Sequence, residues 1–120
     1  MSRSVLVTGG NRGIGRAIAE AFLKNGDNVA VTSRSGDAPD GAFAVACELT
    51  DPASVEAAFA AVEEHQGAVE VLVANAGISI ARPVADMTLD EWRRVMAVNL
   101  DGVFLGTKAA IGAMRRAGHG

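Results

Sequence analysis

The sequence predicts an open parallel α/β sheet, and three observations support this. Short apolar runs alternate along the 120 residues with segments in which apolar residues recur at helical spacing. The predicted order of elements, β-α-β-β-α-β-α, is typical of a parallel sheet with helices packed on its faces. The run at 71–74 is continuously apolar, which favours a strand buried on both faces. The expected architecture is therefore a doubly wound sheet of four strands in the order 3-2-1-4.

The first three strands and the first helix are predicted within residues 5–47. Asn25-Gly26 ends the helix, since glycine supplies the left-handed conformation that follows many helices. The apolar face of this helix consists of Ile14, Ala17, Ile18, Ala21 and Phe22. The other predicted elements are strands at 5–8, 29–32 and 43–47, with a polar, helix-free loop at 35–41.

Two further helices flank the fourth strand. Asp51 is a natural N-cap, and Pro52 fits the first helical position, where an N–H has no intrahelical partner. Gly67 ends this helix, whose apolar stripe consists of Val55, Phe59 and Val62. Thr88 and Glu91 then form a capping box that opens a long helix to about residue 117. Its apolar residues are Trp92, Val95, Met96, Val103, Phe104, Ile111 and Met114.

Composition and charge exclude several classes of function. Eleven Lys+Arg against fourteen Asp+Glu give a net charge of −3 without a basic block, so nothing favours nucleic-acid binding. The continuous apolar runs are too short to cross a bilayer, and the first strand begins without a signal-peptide pattern. The single cysteine, Cys47, excludes an internal disulfide and a cysteine-cluster metal site. We expect a cytoplasmic protein that binds no metal, nucleic acid or membrane.

A glycine-rich turn joins the first strand to the first helix. Residues 8–15 read T-G-G-N-R-G-I-G, and Gly9, Gly13 and Gly15 would serve the sharp turn, close approach to a pyrophosphate and tight helix packing. The helix N-terminus adds free N–H groups and a partial positive charge. This setting favours a dinucleotide site over the alternative, a glycine-rich turn without a ligand. Three more residues of the turn are candidates for this site: Asn11, Arg12 and Ile14.

Three motifs together resemble the short-chain dehydrogenase/reductase family. The turn at 8–15 matches that family's T-G-x-x-x-G-x-G, Ala-Asn-Ala-Gly at 74–77 corresponds to its N-N-A-G, and Asn99 matches its helix asparagine. The segment 4–77 looks most like actinobacterial 3-oxoacyl-acyl-carrier-protein reductases. The resemblance implies a Rossmann-like fold and an NADP(H)-dependent oxidoreductase. It would reduce a 3-oxoacyl thioester to its 3-hydroxyacyl form in fatty acid synthesis.

The residues after the second and third strands bear on the choice of cofactor. An NAD site usually has an acidic residue after the second strand, but Ser33 and Arg34 stand there. Together with Arg12 they suit a 2′-phosphate, which arginine binds with paired hydrogen bonds. NADP(H) is therefore expected, the alternative being two solvated surface arginines. By resemblance, Glu48 and Leu49 would lie against the adenine, with Glu48 in place of the family's aspartate.

The resemblance also assigns roles to the fourth-strand motif and to Asn99. Asn75, Ala76 and Gly77 would line the ribose side of the site through their backbone. Ala74 replaces the family's first asparagine, which would cost one side-chain hydrogen bond between strands. Asn99 would anchor a proton-relay water as a supporting catalytic residue. The alternative is a buried helix asparagine, which would need a hydrogen-bond partner.

By the resemblance, the family's catalytic serine, tyrosine and lysine would lie beyond residue 120, and the family's Y-x-x-x-K motif cannot occur here because the chain contains no tyrosine. Residues 1–120 are therefore expected to form the N-terminal part of a reductase, truncated to about four strands and catalytically incomplete alone. An acyl thioester would bind only if the missing half is supplied. The helix at 88–117 is expected to form a homo-oligomer interface. The alternative function is a non-catalytic module for NADP(H) binding or subunit interaction.

Overall fold

The computed structural model describes residues 2–120 and confirms the predicted fold class and strand order. Its parallel strands, in the spatial order β3-β2-β1-β4, are β1 (Ser4–Thr8), β2 (Asn28–Ser33), β3 (Phe43–Ala46) and β4 (Val71–Val73). The helices are α1 (Gly13–Lys24), α2 (Pro52–Gln66), α3 (Leu89–Met96) and α4 (Gly102–Ala117). Two further elements were not predicted, a 3₁₀ turn at Val84–Asp86 and a π-helical segment at Ala97–Asp101.

The helix boundaries follow the capping signals in the sequence. The Asp51 carboxylate accepts a hydrogen bond from the Ala53 N–H at 3.1 Å and caps α2. Thr88 and Glu91 make both hydrogen bonds of the predicted capping box at the start of α3. Gly26, with a φ of +89°, follows the end of α1. No helix forms between β2 and β3, as predicted.

The central strand β1 contributes to two cores on opposite faces of the sheet. Val5 and Val7 pack with α1, while Leu6 packs with residues of α2 and α4, and all three are fully buried. Helices therefore cover both faces. Since all four strands are parallel, their C-terminal ends lie at one edge of the sheet, where ligands bind in folds of this kind.

The strand β4 packs on both faces, as predicted, but is only half-buried. Leu72 packs against the core that contains Leu6, and Val71 and Val73 pack against the core on the opposite face. Val71–Val73 pair with β1 on one side, and no described strand pairs with them on the other. The apolar run correctly predicted the strand. Its burial depends on which elements cover the edge of the sheet, and a run of apolar residues contains no information about that.

The segments α3, Ala97–Asp101 and α4 form one continuous helix, Leu89–Ala117. Its large apolar side chains are mostly solvent-exposed: Trp92 is 54% exposed, Leu100 58% and Phe104 63%. Its buried residues are all small, namely Gly102, Gly106, Ala110 and Ala113. Ala110 packs into the core with residues of α2, while the exposed large residues leave an apolar surface on the outside.

By length and composition, one helix in residues 2–120 could cross a membrane, namely Leu89–Ala117, with a mean hydropathy of 1.2 over an 18-residue window. The sequence prediction missed it because it considered only continuous apolar runs. One such helix is weak evidence for a membrane, since helices that contact other parts of a protein meet the same criterion. Within the described fold, 17% of that window is buried.

Candidate nucleotide-binding site

A cleft of about 610 Å³ opens at the C-terminal edge of the sheet. Its walls are the glycine-rich turn after β1 and the segments that follow β2, β3 and β4. The predicted cofactor residues that line it are Gly9, Asn11, Arg12, Gly13, Ile14, Ser33, Arg34, Glu48, Leu49, Asn75, Ala76 and Gly77. Gly15 lies behind this lining. The fold thus brings residues from four separate segments to one cleft.

The N-terminus of α1 borders this cleft and has no side-chain cap. The N-cap residue Arg12 makes no side-chain hydrogen bond to the helix, and the first turn contains no acidic residue. The free N–H groups and the positive end of the helix dipole can therefore bind an anion. Ile14 is 76% exposed and lines the cleft. Its predicted place on the apolar face of α1 is wrong, and so are those of Ala17 and Ala21, because all three residues are exposed. The face of α1 that packs on the sheet consists of Ile18, Ala19, Phe22 and Leu23.

Three glycines of the turn, Gly9, Gly10 and Gly15, leave no room for a side chain. At Gly9 the φ angle is +67°, and an added Cβ atom would lie 2.9 Å from the Cα atom of Ala76. At Gly15 an added Cβ atom would collide with the Asn75 side-chain amide and with the carbonyl oxygen of Gly9. Gly9 therefore permits close contact between the turn and the segment after β4. Gly15 permits tight packing of α1, a role that the motif predicted for one of its glycines.

Thr8 and Asn75 connect the C-terminal ends of β1 and β4. The Thr8 hydroxyl accepts hydrogen bonds from the N–H groups of Asn75 and Ala76, both at 3.1 Å. The Asn75 side-chain amide donates to the carbonyl oxygens of Thr8 at 3.1 Å and Gly9 at 3.3 Å. Side-chain hydrogen bonds therefore still join the two strands, although Ala74 cannot contribute the one expected from an asparagine at its position.

Two arginines supply the positive charge of the cleft. Arg12 and Arg34 both line it, and both are exposed. Ser33 is buried, and its hydroxyl is engaged within the loop after β2. The hydroxyl accepts a hydrogen bond from the Gly36 N–H at 2.7 Å and donates to the Asp37 carbonyl oxygen at 3.3 Å. The two guanidinium groups, more than the serine, are thus available to an anionic ligand.

Glu48 lies after β3, beside Arg34. Its Oε1 atom accepts a hydrogen bond from the Thr50 hydroxyl at 2.8 Å, and its Oε2 atom lies 3.8 Å from Nε of Arg34. The Thr50 hydroxyl is the main cause of a lowered pKa of Glu48, and the charge of Arg34 acts in the same direction. The carboxylate is therefore ionised at neutral pH.

Asn99 is exposed in the π-helical segment, so the alternative of a buried helix asparagine is wrong. Its Oδ1 atom accepts a hydrogen bond from the Ile78 N–H, and its Nδ2 atom donates to the Ile78 carbonyl oxygen, both at 2.8 Å. These bonds attach the segment after β4 to the long helix. π-Helical turns are frequent at functional sites. The role of Asn99 as the anchor of a relay water stays a prediction.

The comparison with known families agrees with this architecture. Residues 3–120 match the model of a family described as short chain dehydrogenase. The chain therefore belongs to the short-chain dehydrogenase family. It is 52% identical, over 97% of its length, to the 3-oxoacyl-[acyl-carrier-protein] reductase MabA of Mycobacterium tuberculosis. It is 39% identical, over 96% of its length, to the NADP-dependent (R)-specific alcohol dehydrogenase of Lentilactobacillus kefiri.

A solved structure of a similar protein shows the same fold. The aldohexose dehydrogenase of Thermoplasma acidophilum, in its ligand-free form, matches with a TM-score of 0.85 and 38% sequence identity. The match covers 96% of this chain and 45% of that protein. Similarly, the chain covers 47% of MabA and 50% of the alcohol dehydrogenase. This short-chain dehydrogenase sequence thus spans about half the length of the curated relatives it matches.

Some cleft residues of this short-chain dehydrogenase were not predicted, namely Thr32, Ser35, Cys47, Ile78 and Val98. Three of them, Thr32, Ser35 and Cys47, lie within two residues of a strand end. Ligands bind at the carboxyl ends of the strands in folds of this kind, so a search of the neighbouring residues would have found them. No local signal indicates Ile78 and Val98, because they reach the cleft through the contact between the segment after β4 and the long helix. Within residues 2–120, no cluster of three His, Cys, Asp or Glu side chains could hold a metal ion.

Proposed function

We propose that this chain is the nucleotide-binding part of an NADP(H)-dependent reductase that converts 3-oxoacyl thioesters to 3-hydroxyacyl thioesters. The identity of 52% to MabA, named a 3-oxoacyl-[acyl-carrier-protein] reductase, supports the reaction class. The chain contains no tyrosine and covers 47% of that relative. The active site would therefore be completed by a serine, a tyrosine and a lysine from outside these residues. The 120 residues alone are proposed to be catalytically inactive.

The cleft has the size and the donor groups that a dinucleotide requires. Its volume of about 610 Å³ falls within the range of roughly 300–1,000 Å³ that is common for ligand pockets. The uncapped N-terminus of α1 suits a pyrophosphate, because its N–H groups have no acidic side chain nearby in the first turn. At Gly13 an added Cβ atom would meet nothing within 4 Å, so a phosphate could approach the backbone there.

The observation that favours NADP(H) is the pair of arginines in the cleft, Arg12 and Arg34, together with the absence of a carboxylate at the end of β2. An NAD site usually holds the ribose hydroxyls with an acidic residue at the end of β2. Here β2 ends at Ser33, whose hydroxyl is engaged in its own loop, and Arg34 follows. The planar guanidinium of arginine binds phosphate oxygens with two parallel hydrogen bonds.

Each part of the cleft has a role in this proposal. When bound, the nicotinamide cofactor supplies the hydride for carbonyl reduction. The N–H groups at the start of α1 would bind the pyrophosphate, while Arg12 and Arg34 would bind the 2′-phosphate. Glu48 and Leu49 would lie against the adenine, and the backbone of residues 75–77 would line the ribose side.

Calorimetric titration of the 120-residue chain with NADPH and NADH tests this proposal. Hydrogen bonds to charged groups contribute about 1.5–3 kcal/mol, so Arg34→Ala should weaken NADPH binding roughly 10- to 100-fold. NADH lacks the 2′-phosphate, and its affinity should change less than about twofold. Arg115→Ala, which removes an exposed arginine near the end of α4, is the matched control. An equal loss of both nucleotides in Arg34→Ala would contradict the proposed role.

The exposed apolar surface of α3 and α4 favours a second candidate function, a subunit-interaction module. Large exposed apolar patches mark protein contacts, and Trp92, Leu100 and Phe104 are each more than half exposed. We propose that residues 88–117 form a homo-oligomer interface. Analytical ultracentrifugation would measure the association. An assay of NADPH oxidation with a 3-oxoacyl thioester would separate the functions, since turnover by these residues alone would refute catalytic incompleteness.

A further inference from the structure

An acidic side chain lies beside one of the two cleft arginines. Ser33 pairs with Ala46 across the parallel strands, and the Cys47 N–H donates to the Ser33 carbonyl oxygen at 3.0 Å, so the segments that follow β2 and β3 run next to each other. Arg34 and Glu48 belong to these two segments, and Nε of Arg34 lies 3.8 Å from Oε2 of Glu48. The Glu48 N–H donates to the Ser54 hydroxyl at 2.9 Å, which attaches this backbone segment to α2. The contact between Arg34 and Glu48 therefore joins two segments that follow neighbouring strands, one of which is attached to α2.

The Thr50 hydroxyl orients the Glu48 carboxylate. It donates to Oε1 of Glu48 at 2.8 Å, and the other oxygen, Oε2, lies 3.8 Å from Nε of Arg34. Both charged side chains remain accessible, with 69% of Arg34 and 47% of Glu48 exposed. A ligand that enters the cleft can therefore reach the same guanidinium group that Glu48 contacts.

We propose that Glu48, acting on Arg34, sets the preference of this site between NADP(H) and NAD(H), an inference that rests on the proposed function. The carboxylate competes with a 2′-phosphate for the guanidinium group of Arg34 and repels the phosphate charge. A ribose with a free 2′-hydroxyl meets no such repulsion, and a carboxylate can accept a hydrogen bond from it. Glu48 is thus a positioning residue that lowers the advantage of NADP(H) over NAD(H).

The expected effect is small, because the pair is exposed. Exposed ion pairs contribute up to about 1 kcal/mol, which corresponds to roughly a fivefold change in affinity. Glu48→Gln should therefore tighten NADPH binding about two- to fivefold and leave NADH binding unchanged or weaker. Thr50→Val, which keeps the shape of the side chain but loses the hydroxyl, should shift the ratio in the same direction by a smaller factor.

A double-mutant cycle tests whether Glu48 acts through Arg34. The wild type, Glu48→Gln, Arg34→Ala and the double variant are titrated with NADPH and with NADH by calorimetry. In the Arg34→Ala background, most of the effect of Glu48→Gln on NADPH should disappear. Glu64→Gln, at an exposed position on α2 outside the cleft, is the matched control and should not change the affinity ratio.

The ratio of NADPH to NADH affinity distinguishes this inference from the proposed function. If the wild type binds NADPH but Glu48→Gln shifts both affinities equally, or the shift persists without Arg34, the role of Glu48 is overturned and the proposed function stands. If no variant binds either nucleotide, both are overturned. A ratio raised in Glu48→Gln and Thr50→Val, and unchanged in Glu64→Gln, would support the inference.

Discussion

Replacing Gly15 with alanine should destabilise this protein, although alanine is the better helix former. Gly15 lies in the first turn of α1, where the new Cβ atom would collide with the Gly9 carbonyl oxygen and the Asn75 amide. The Asn75 side chain can rotate, but it would then lose its hydrogen bonds to Thr8 and Gly9. The Gly9 carbonyl is backbone, and the Gly9 N–H is held by the Thr32 carbonyl at 3.0 Å, so the turn cannot easily yield.

The magnitude follows from three contributions. Overpacking a close contact costs about 1–3 kcal/mol, and each of the two lost Asn75 hydrogen bonds costs about 1 kcal/mol. The better helix propensity of alanine offsets about 1 kcal/mol of this. The free energy of unfolding of Gly15→Ala should therefore fall by roughly 2–4 kcal/mol.

Urea unfolding followed by circular dichroism measures this change, and a second glycine provides the control. Gly106 is buried within α4, yet an added Cβ atom would meet nothing within 4 Å. Gly106→Ala should therefore stabilise the protein by about 0.5–1 kcal/mol, because only the backbone entropy and helix propensity change. If Gly15→Ala were as stable as the wild type, the steric argument for this glycine would be wrong.

Three further predictions concern hydrogen bonds and charge. Thr8→Val leaves the partly buried Ala76 N–H without an acceptor and the Asn75 N–H with only the Val73 carbonyl oxygen, and it should cost about 1–3 kcal/mol in urea unfolding, whereas Thr8→Ser should retain most of the stability. Asn99→Leu should speed hydrogen exchange of the Ile78 amide about tenfold, and unchanged protection would show that Asn99 does not hold this segment. Arg3 is the main cause of the lowered pKa of Asp27, so this carboxylate stabilises the fold above its unfolded pKa of about 3.9 and ceases to do so as pH falls through the folded value. In Asp27→Asn the free energy of unfolding should therefore decline less between about pH 5 and about pH 2; an equal decline in both proteins would contradict this.

The elements and the glycine-rich turn were predictable because their causes are local. Asp51 and the Thr88–Glu91 pair cap their helices through residues two or three positions away. The turn at 8–15 combines a strand, glycines and a helix start within eight consecutive residues. In such features both partners of each interaction lie within a few residues of each other. Short sequence patterns are therefore enough to predict them.

The features that were missed depend on contacts between distant segments. The motif correctly placed Ile14 at the cleft, but its helical spacing also predicted a core position, which is wrong. How far β4 is buried depends on what covers its outer edge, and the Arg34–Glu48 contact depends on two loops that follow neighbouring strands. Likewise, the Ser33 hydroxyl was expected to face the ligand, but it accepts a hydrogen bond from the Gly36 N–H in the loop after β2.

The π-helical segment at Ala97–Asp101 also fixes the rotational phase between the two halves of the long helix. An α-helix turns by about 100° per residue, so one residue inserted into or deleted from this segment would rotate all of α4 relative to α3. The small buried residues Ala110 and Ala113 would then leave the contact with the core, and bulkier neighbours would replace them. A change in the length of this segment would therefore alter which side of α4 faces the core, whereas a single substitution would not rotate the helix. The protein should tolerate substitutions in this segment far better than insertions or deletions.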